Sequence, residues 1–294
     1  MTFPLEYQQF KANYDDTVAS FDRMGLSPRL TEALKTRAID VPTPVQQQAI
    51  VPIIEGRNVM VKAQSGTGRM VAFVVAALQK VDLRNDECQV LILTPGRAAA
   101  LEVLGLLQDL GGSLGVVCRT CLEDEEGEPE QEVRMPRGTT THIVVATPGR
   151  VLSRIQAGGM LSSSMDLLMV ADLDTMLLKQ LGNTVESIFQ LLTPSTSHSD
   201  PKLQVALCFD LQTPELVRLA GQLTLTRQQE HGGNRVVKIF VRKTPLSLHR
   251  SRHYFVDVTR EEWKFDTICD LYETYTPPNS QQRCKPSDEV RPGY

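Results

Sequence analysis

No stretch of this chain is apolar for long enough to cross a bilayer. The longest apolar run, "MVAFVVAAL" at residues 70–78, is far short of the ~20 residues a spanning helix needs. The N-terminus, "MTFPLEYQQFKANYDD", is polar and of mixed charge, and it carries no secretory signal. The expected setting is cytoplasmic or nuclear, with no membrane partner. Basic residues are not in excess either. Lys and Arg number 31 against 35 Asp and Glu, for a net charge of −4. That balance excludes a generic polyanion binder, so any nucleic-acid contact must come from a local patch or from backbone amides. The six cysteines are scattered, which suits a reducing compartment better than a disulfide framework. Cys118 and Cys121 have CxxC spacing, but no second pair and no His follow at zinc spacing. They read as small core residues near a strand. His249 and His253 lie four apart, and the neighbouring Arg250 and Arg252 make a cation site there unattractive. No metal ligand is assigned anywhere. No internal repeat is visible.

What is present is an ordinary globular composition, 41% hydrophobic and 22% charged over 294 residues. That length allows one large domain or two small ones. A helix is expected after Ser27, with Pro28 in its first position, and another after Thr43. Seven short runs rich in Val, Ile and Leu then follow, at 58–63, 88–93, 115–121, 142–147, 167–172, 203–209 and 236–241. Uninterrupted runs of this kind are strands buried on both faces. Helical segments are expected between them at 69–80, 97–110, 148–157, 175–192 and 214–223. Strand alternating with helix implies an α/β fold, a mostly parallel sheet with helices on both faces. Two segments stand apart. "EDEEGEPEQE" at 123–132 should be a solvated acidic loop. The polar, proline-rich stretch 276–294 is expected to be disordered.

The sharpest local signal is "KAQSGTGRM" at residues 62–70. It follows an expected strand and precedes an expected helix, the context a phosphate-binding loop requires. Gly66 and Gly68 let backbone N–H groups converge on phosphate oxygens, and the helix N-terminus adds its dipole. Together with "TPVQQQAI" upstream and "TPGRAAA" (94–100), "ATPGR" (146–150), "MVADLDTML" (169–177) and "REEWKFDTICDLYET" (260–274) downstream, this loop resembles the DEAD-box RNA helicases, in particular their translation-initiation-factor branch. The resemblance runs from about Phe21 to Thr274.

That resemblance implies a RecA-like P-loop NTPase domain that binds ATP and single-stranded RNA. It places Phe21, Thr43 and Gln46 in the motif that reads adenine. It places Ala63, Ser65, Gly66, Thr67, Gly68, Arg69 and Met70 in the phosphate cradle. Pro95 and Arg97, with Thr147, Pro148, Gly149 and Arg150, would line the RNA groove. Such a groove grips the sugar–phosphate backbone and so reads little sequence. An initiation-factor-type scaffold protein is the implied protein partner.

The departures fall on the chemistry. The loop lysine is replaced by Arg69, a larger planar fork. The hydroxyl that should ligate Mg2+ is replaced by the thioether of Met70, which has no affinity for a hard cation. The family's Asp-Glu-Ala-Asp reads Ala171, Asp172, Leu173, Asp174, so the candidate catalytic carboxylates are Asp172 and Asp174 alone. The Ser-Ala-Thr motif reads Phe209, Asp210, Leu211. The family's Pro-Thr-Arg-Glu-Leu-Ala reads "PGRAAA". Metal charge stabilisation is worth several kcal/mol at the transition state, and each ~1.4 kcal/mol is tenfold in rate. Loss of the metal site alone therefore costs roughly a thousandfold or more. These departures argue against Mg2+ binding and for an impaired helicase homologue. The alternative is a non-catalytic module that competes for RNA or for a scaffold. The expected organisation is a flexible leader (1–20), an ATP-binding domain (21–245), the start of a second lobe (246–275) and a disordered tail (276–294). The second lobe's His-Arg-x-Gly-Arg-x-x-Arg run is not found in the sequence.

Overall fold

Short runs of β-branched and aliphatic residues pair side by side into one sheet because each can bury both faces. The computed structural model describes residues 12–122, 140–157, 165–193, 203–224, 236–241, 256, 258 and 260–275. His249 and His253, the acidic run and the tail lie outside the described residues. All seven expected strands are present: β1 (Val59–Lys62), β2 (Val90–Leu93), β3 (Cys118–Cys121), β4 (Ile143–Ala146), β5 (Leu167–Val170), β6 (Gln204–Phe209) and β7 (Val237–Phe240). They form a single sheet in the order β3-β4-β2-β5-β6-β1-β7, and every pairing is parallel.

The helices are α1 (Pro28–Thr36), α2 (Pro44–Ile54), α3 (Arg69–Lys80), α4 (Arg97–Gly111), α5 (Pro148–Gln156), α6 (Leu173–Leu178), α7 (Gly182–Leu192), α8 (Pro214–Thr224) and α9 (Lys264–Tyr275). Alternate strand residues point to opposite faces, and the core divides accordingly. Val59, Val61, Val90, Ile92, Ile143, Val145, Cys208 and Ile239 pack with the inner faces of α1 to α4. Met60, Leu91, Leu93, Val144, Leu168, Val170, Leu207 and Phe209 pack with α5 to α8. Seven residues in succession on α3, Ala72 to Leu78, are buried, as a helix covered nearly all round must be.

The caps expected from sequence hold two helices in place. Ser27 Oγ accepts from Leu30 N at 3.3 Å. Thr43 forms a reciprocal capping box with Gln46, which satisfies two otherwise unpaired helix donors. The segment 175–192, expected as one helix, is two. Lys179 closes α6, and Gln180 turns into the left-handed region at φ 59° before α7 begins. Asn13, in the leader expected to be flexible, is tied to β7. Its amide donates to Val236 O at 2.8 Å and accepts from Lys238 N at 2.7 Å. Cys118 and Cys121 both lie in β3, Cys121 buried and Cys118 half-buried. Burial pushes the Cys118 thiol up to about 12.

The chain divides into two compact units, Met1–Lys243 and Thr244–Tyr294. In the second unit α9 follows a short turn at Glu261–Trp263 and exposes Phe265, Ile268, Leu271 and Tyr272. No helix among the described residues is long and apolar enough to cross a membrane.

Candidate nucleotide site

Open parallel sheets bind ligands at the carboxyl ends of their strands. Here the loops after β1, β6 and β5, three strands adjacent in the sheet, carry residues 63–68, 210–211 and 171–174. The loops after β2 and β4 carry Pro95–Arg97 and Thr147–Arg150 on the same edge.

The loop after β1 is shaped by glycine at two positions. Gly66 and Gly68 have φ of 80° and 87°, a region that favours residues without a Cβ. Gly68 is also approached closely: a Cβ there would lie 2.5 Å from Gln46 Nε2. Ser65 and Gly66 are exposed, and Thr67 is half-buried with its hydroxyl donating to Gln64 O at 2.7 Å. Gly68 precedes α3 and provides no side-chain cap, so the helix N-terminus presents backbone N–H donors of the kind an anion uses.

Gln46 is buried and bonded within the protein through both ends of its amide. Its oxygen accepts from Thr43 N at 2.9 Å and its nitrogen donates to Gly68 O at 3.1 Å. The Thr43 hydroxyl donates to Thr67 O at 2.9 Å. Two of the three residues expected to read adenine, Thr43 and Gln46, thus brace the phosphate loop against the start of α2. Phe21 is 4% exposed and belongs to the core.

The loop cation turns inward. Arg69 is 7% exposed. One guanidinium nitrogen donates to Ala63 O at 2.7 Å, and the other forms an ion pair with Asp172 Oδ1. Asp172 caps α6 from the left-handed region, at φ 53° and ψ 54°, and its N–H lies 3.5 Å from Cys208 Sγ. Its buried Oδ1 has no hydrogen bond of good geometry and is compensated by the charge of Arg69. Burial pushes the Asp172 carboxyl above its ordinary value. Arg69 opposes that shift and Asp174 adds to it. Cys208, fully buried, is pushed up to about 12 by burial.

Asp174 does structural work. Its Oδ2 accepts from Asp210 N at 3.1 Å and Leu211 N at 2.9 Å, which joins the start of α6 to the end of β6. Its Oδ1 is buried without a hydrogen-bond partner. Ala171 is 1% exposed, and Met70 packs half-buried against the core. Neither side chain offers an oxygen, Asp172 is engaged by a guanidinium, and one oxygen of Asp174 is engaged by backbone amides. This donor set does not fit Mg2+, which demands near-ideal octahedral oxygen ligation. Among the described residues no cluster of three or more His, Cys, Asp or Glu could hold a metal ion.

On the neighbouring loops, Pro148 is buried at the start of α5, and Thr147, Gly149 and Arg150 are half-buried. The Thr147 hydroxyl is buried without a hydrogen bond. Arg150 Nε donates to Leu122 O at 3.2 Å. Arg97 is exposed in the first turn of α4. Two contributors went unread in the sequence. Lys179 Nζ donates to Pro95 O at 2.9 Å and so ties the end of α6 to the loop after β2. Lys62 Nζ donates to Gln212 at 3.0 Å. Lys179 belongs to no recognisable motif and Lys62 only opens the phosphate-loop stretch, so the folded arrangement alone reveals these contacts.

The model of the DEAD/DEAH box helicase family matches residues 43–209, which takes in the phosphate loop, the Ala171–Asp174 segment and most of the sheet. The chain belongs to this family. It is 32% identical over 276 residues to the ATP-dependent RNA helicase eIF4A of Schizosaccharomyces pombe, covering 94% of this chain and 66% of that one. With the eIF4A of Neurospora crassa it shares 33% over 268 residues, covering 91% and 63%. Among solved structures, S. cerevisiae Dbp5 bound to Gle1 and IP6 gives a TM-score of 0.68 at 22% identity, covering 89% of this chain and 61% of that one. A DEAD box protein from the hyperthermophile Methanococcus jannaschii gives 0.64 at 20%, covering 87% and 64%. These two likenesses carry the fold, a RecA-like α/β lobe. The chain spans less than two thirds of the length of these eIF4A relatives. DEAD-box helicases bind RNA and ATP, generally with Mg2+.

Proposed function

We propose that this chain is a DEAD-box lobe that retains the frame for binding nucleotide and single-stranded RNA but does not hydrolyse ATP. One observation carries the reading: the ion pair between buried Arg69 and half-buried Asp172. The loop cation that should meet phosphate is neutralised by the carboxylate standing where the family's water-orienting glutamate would be. Beside the pair, Met70 and Ala171 replace the groups that would hold Mg2+ directly and through water.

Phosphoryl transfer is accelerated almost wholly by positioning and by charge stabilisation. The backbone of the loop, shaped by Gly66 and Gly68, supports positioning of a polyphosphate. Nothing in the donor set supports the charge stabilisation. The chain's family relationship and the exposed Arg97 support RNA-backbone binding. On this reading the chain is a pseudo-helicase that competes with intact relatives for single-stranded RNA or for an initiation-factor-type scaffold. Its similarity to eIF4A supports the latter.

An RNA-stimulated phosphate-release assay tests the catalytic half of this proposal. The expected rate lies at least roughly a thousandfold below that of an intact DEAD-box helicase, since metal stabilisation is worth several kcal/mol. Turnover within about tenfold of an intact enzyme would refute it.

A further inference from the structure

We propose that Asp172 is an intramolecular stand-in for nucleotide phosphate, occupying the guanidinium of Arg69 so that a terminal phosphate reaches the loop cation only by displacing it. The inference rests on the reading of this pocket as a nucleotide site, and it turns position 172 from a catalytic group into an inhibitory one.

The geometry favours such a role. Arg69 is 7% exposed, and among the described residues its guanidinium is held by Ala63 O and the Asp172 carboxylate. Carboxylate and phosphate are both oxyanions whose geometry the planar guanidinium fork matches. Asp172 is delivered to that fork by its backbone. It sits in the left-handed region at the head of α6, where its carbonyl accepts from Met176 N at 3.1 Å and its own N–H points to Cys208 Sγ. A non-glycine residue keeps such a conformation only when its surroundings over-determine it.

The charges around the pair make the competition selective. In a phosphate loop of this type the loop cation meets the terminal phosphates. The groups that act on Asp172 are Arg69, Asp174 and the more distant Glu102, with Cys208 against its backbone. With Arg69 neutralised, the remaining charges are acidic. A third phosphate would meet Asp172 and Asp174 with no metal to offset them. A diphosphate can rest on the loop amides while the ion pair stays closed. Nucleoside triphosphate is therefore penalised more than diphosphate, and Asp172 is the cause.

The test is calorimetry on the full 294-residue chain in EDTA, with ATP and with ADP, for the wild type and for Asp172→Asn. The amide keeps an acceptor for Arg69 but gives up the competing charge. ATP should bind the variant at least about tenfold tighter than it binds the wild type, and ADP should change by less than about threefold. If Asp172→Asn fails to fold by circular dichroism, Asp172→Ser gives the same comparison. Unchanged ATP affinity, an equal gain for both nucleotides, or no binding by any form would each overturn the proposal. Turnover is not part of this readout, so its failure is distinct from failure of the phosphate-release prediction.

Discussion

Arg69 illustrates how one substitution redirects a site. A lysine ammonium on a flexible stem can swing between partners, whereas a guanidinium satisfies several acceptors at once and tends to lock. Here the guanidinium is buried, with its fork shared between Ala63 O and half-buried Asp172. Breaking a fully buried pair costs about 3–5 kcal/mol, but the Asp172 side chain is 25% exposed and can be hydrated once Arg69 is gone, which brings the cost down to about 2 kcal/mol. Arg69→Ala should therefore lower the free energy of unfolding by about that amount, read from urea denaturation. A loss under about 1 kcal/mol would show that the pair is solvated and not a lock. The sequence disclosed that Arg69 and Asp172 depart from the family. It did not disclose that they find each other, because their partnership depends on where β1 and β5 lie in the sheet. Gln46 gives the same lesson. Its type and position marked it as functional, but its bonds to Thr43 N and Gly68 O are visible only in the fold.

Elements were legible to the degree that burial dictates composition. The inner strands β1, β2, β4, β5 and β6 announced themselves because both faces are largely covered and leave little room for polar residues, whereas the edge strands β3 and β7 are only partly buried and carry Arg119 and Lys238. Helix starts at Ser27 and Thr43 were legible because capping is local chemistry. The break between α6 and α7 was not, since no proline marks it. Gly182 was its only sign: a Cβ there would come within 2.6 Å of Leu177 Cδ2, so the glycine lets the two helices pack at a close angle. Strand joins hold a pH-sensitive contact that composition did not reveal. His142, just before β4, accepts from Val117 N through Nδ1 at 2.9 Å, while its own N–H donates to Val117 O at 2.9 Å. Burial lowers its pKa below the ordinary histidine value. Protonating Nδ1 would set two donors face to face. The depressed value means this contact contributes stability above about pH 6.5, which is lost as the pH falls through the folded-state value. The urea midpoint should drop between about pH 7.5 and about pH 5.5, and His142→Gln should flatten that drop. An identical slope in the variant would place the acid sensitivity elsewhere.

At the scale of the molecule, one α/β lobe has kept its architecture while the chemistry at its strand ends has changed. The core on either face of the sheet is closed and well formed, and the phosphate loop still turns through two left-handed glycines. The fold accommodates these site changes because sheet pairing runs through the backbone, which the altered side chains leave intact: Phe209 pairs with Lys62, and Ala171 N donates to Leu93 O at 2.9 Å. Arg69 and Asp172 compensate each other, Met70 joins the core, and Ala171 fills its buried place with a methyl group. On the proposed reading, such a frame binds nucleotide without turning it over. The central claim is that nucleotide binding here owes nothing to a divalent cation. Calorimetry of the full chain with ATP, in Mg2+ and then in EDTA, tests it most directly. The account predicts affinities that agree within about threefold in the two conditions, and a tightening of about tenfold or more in Mg2+ would contradict it.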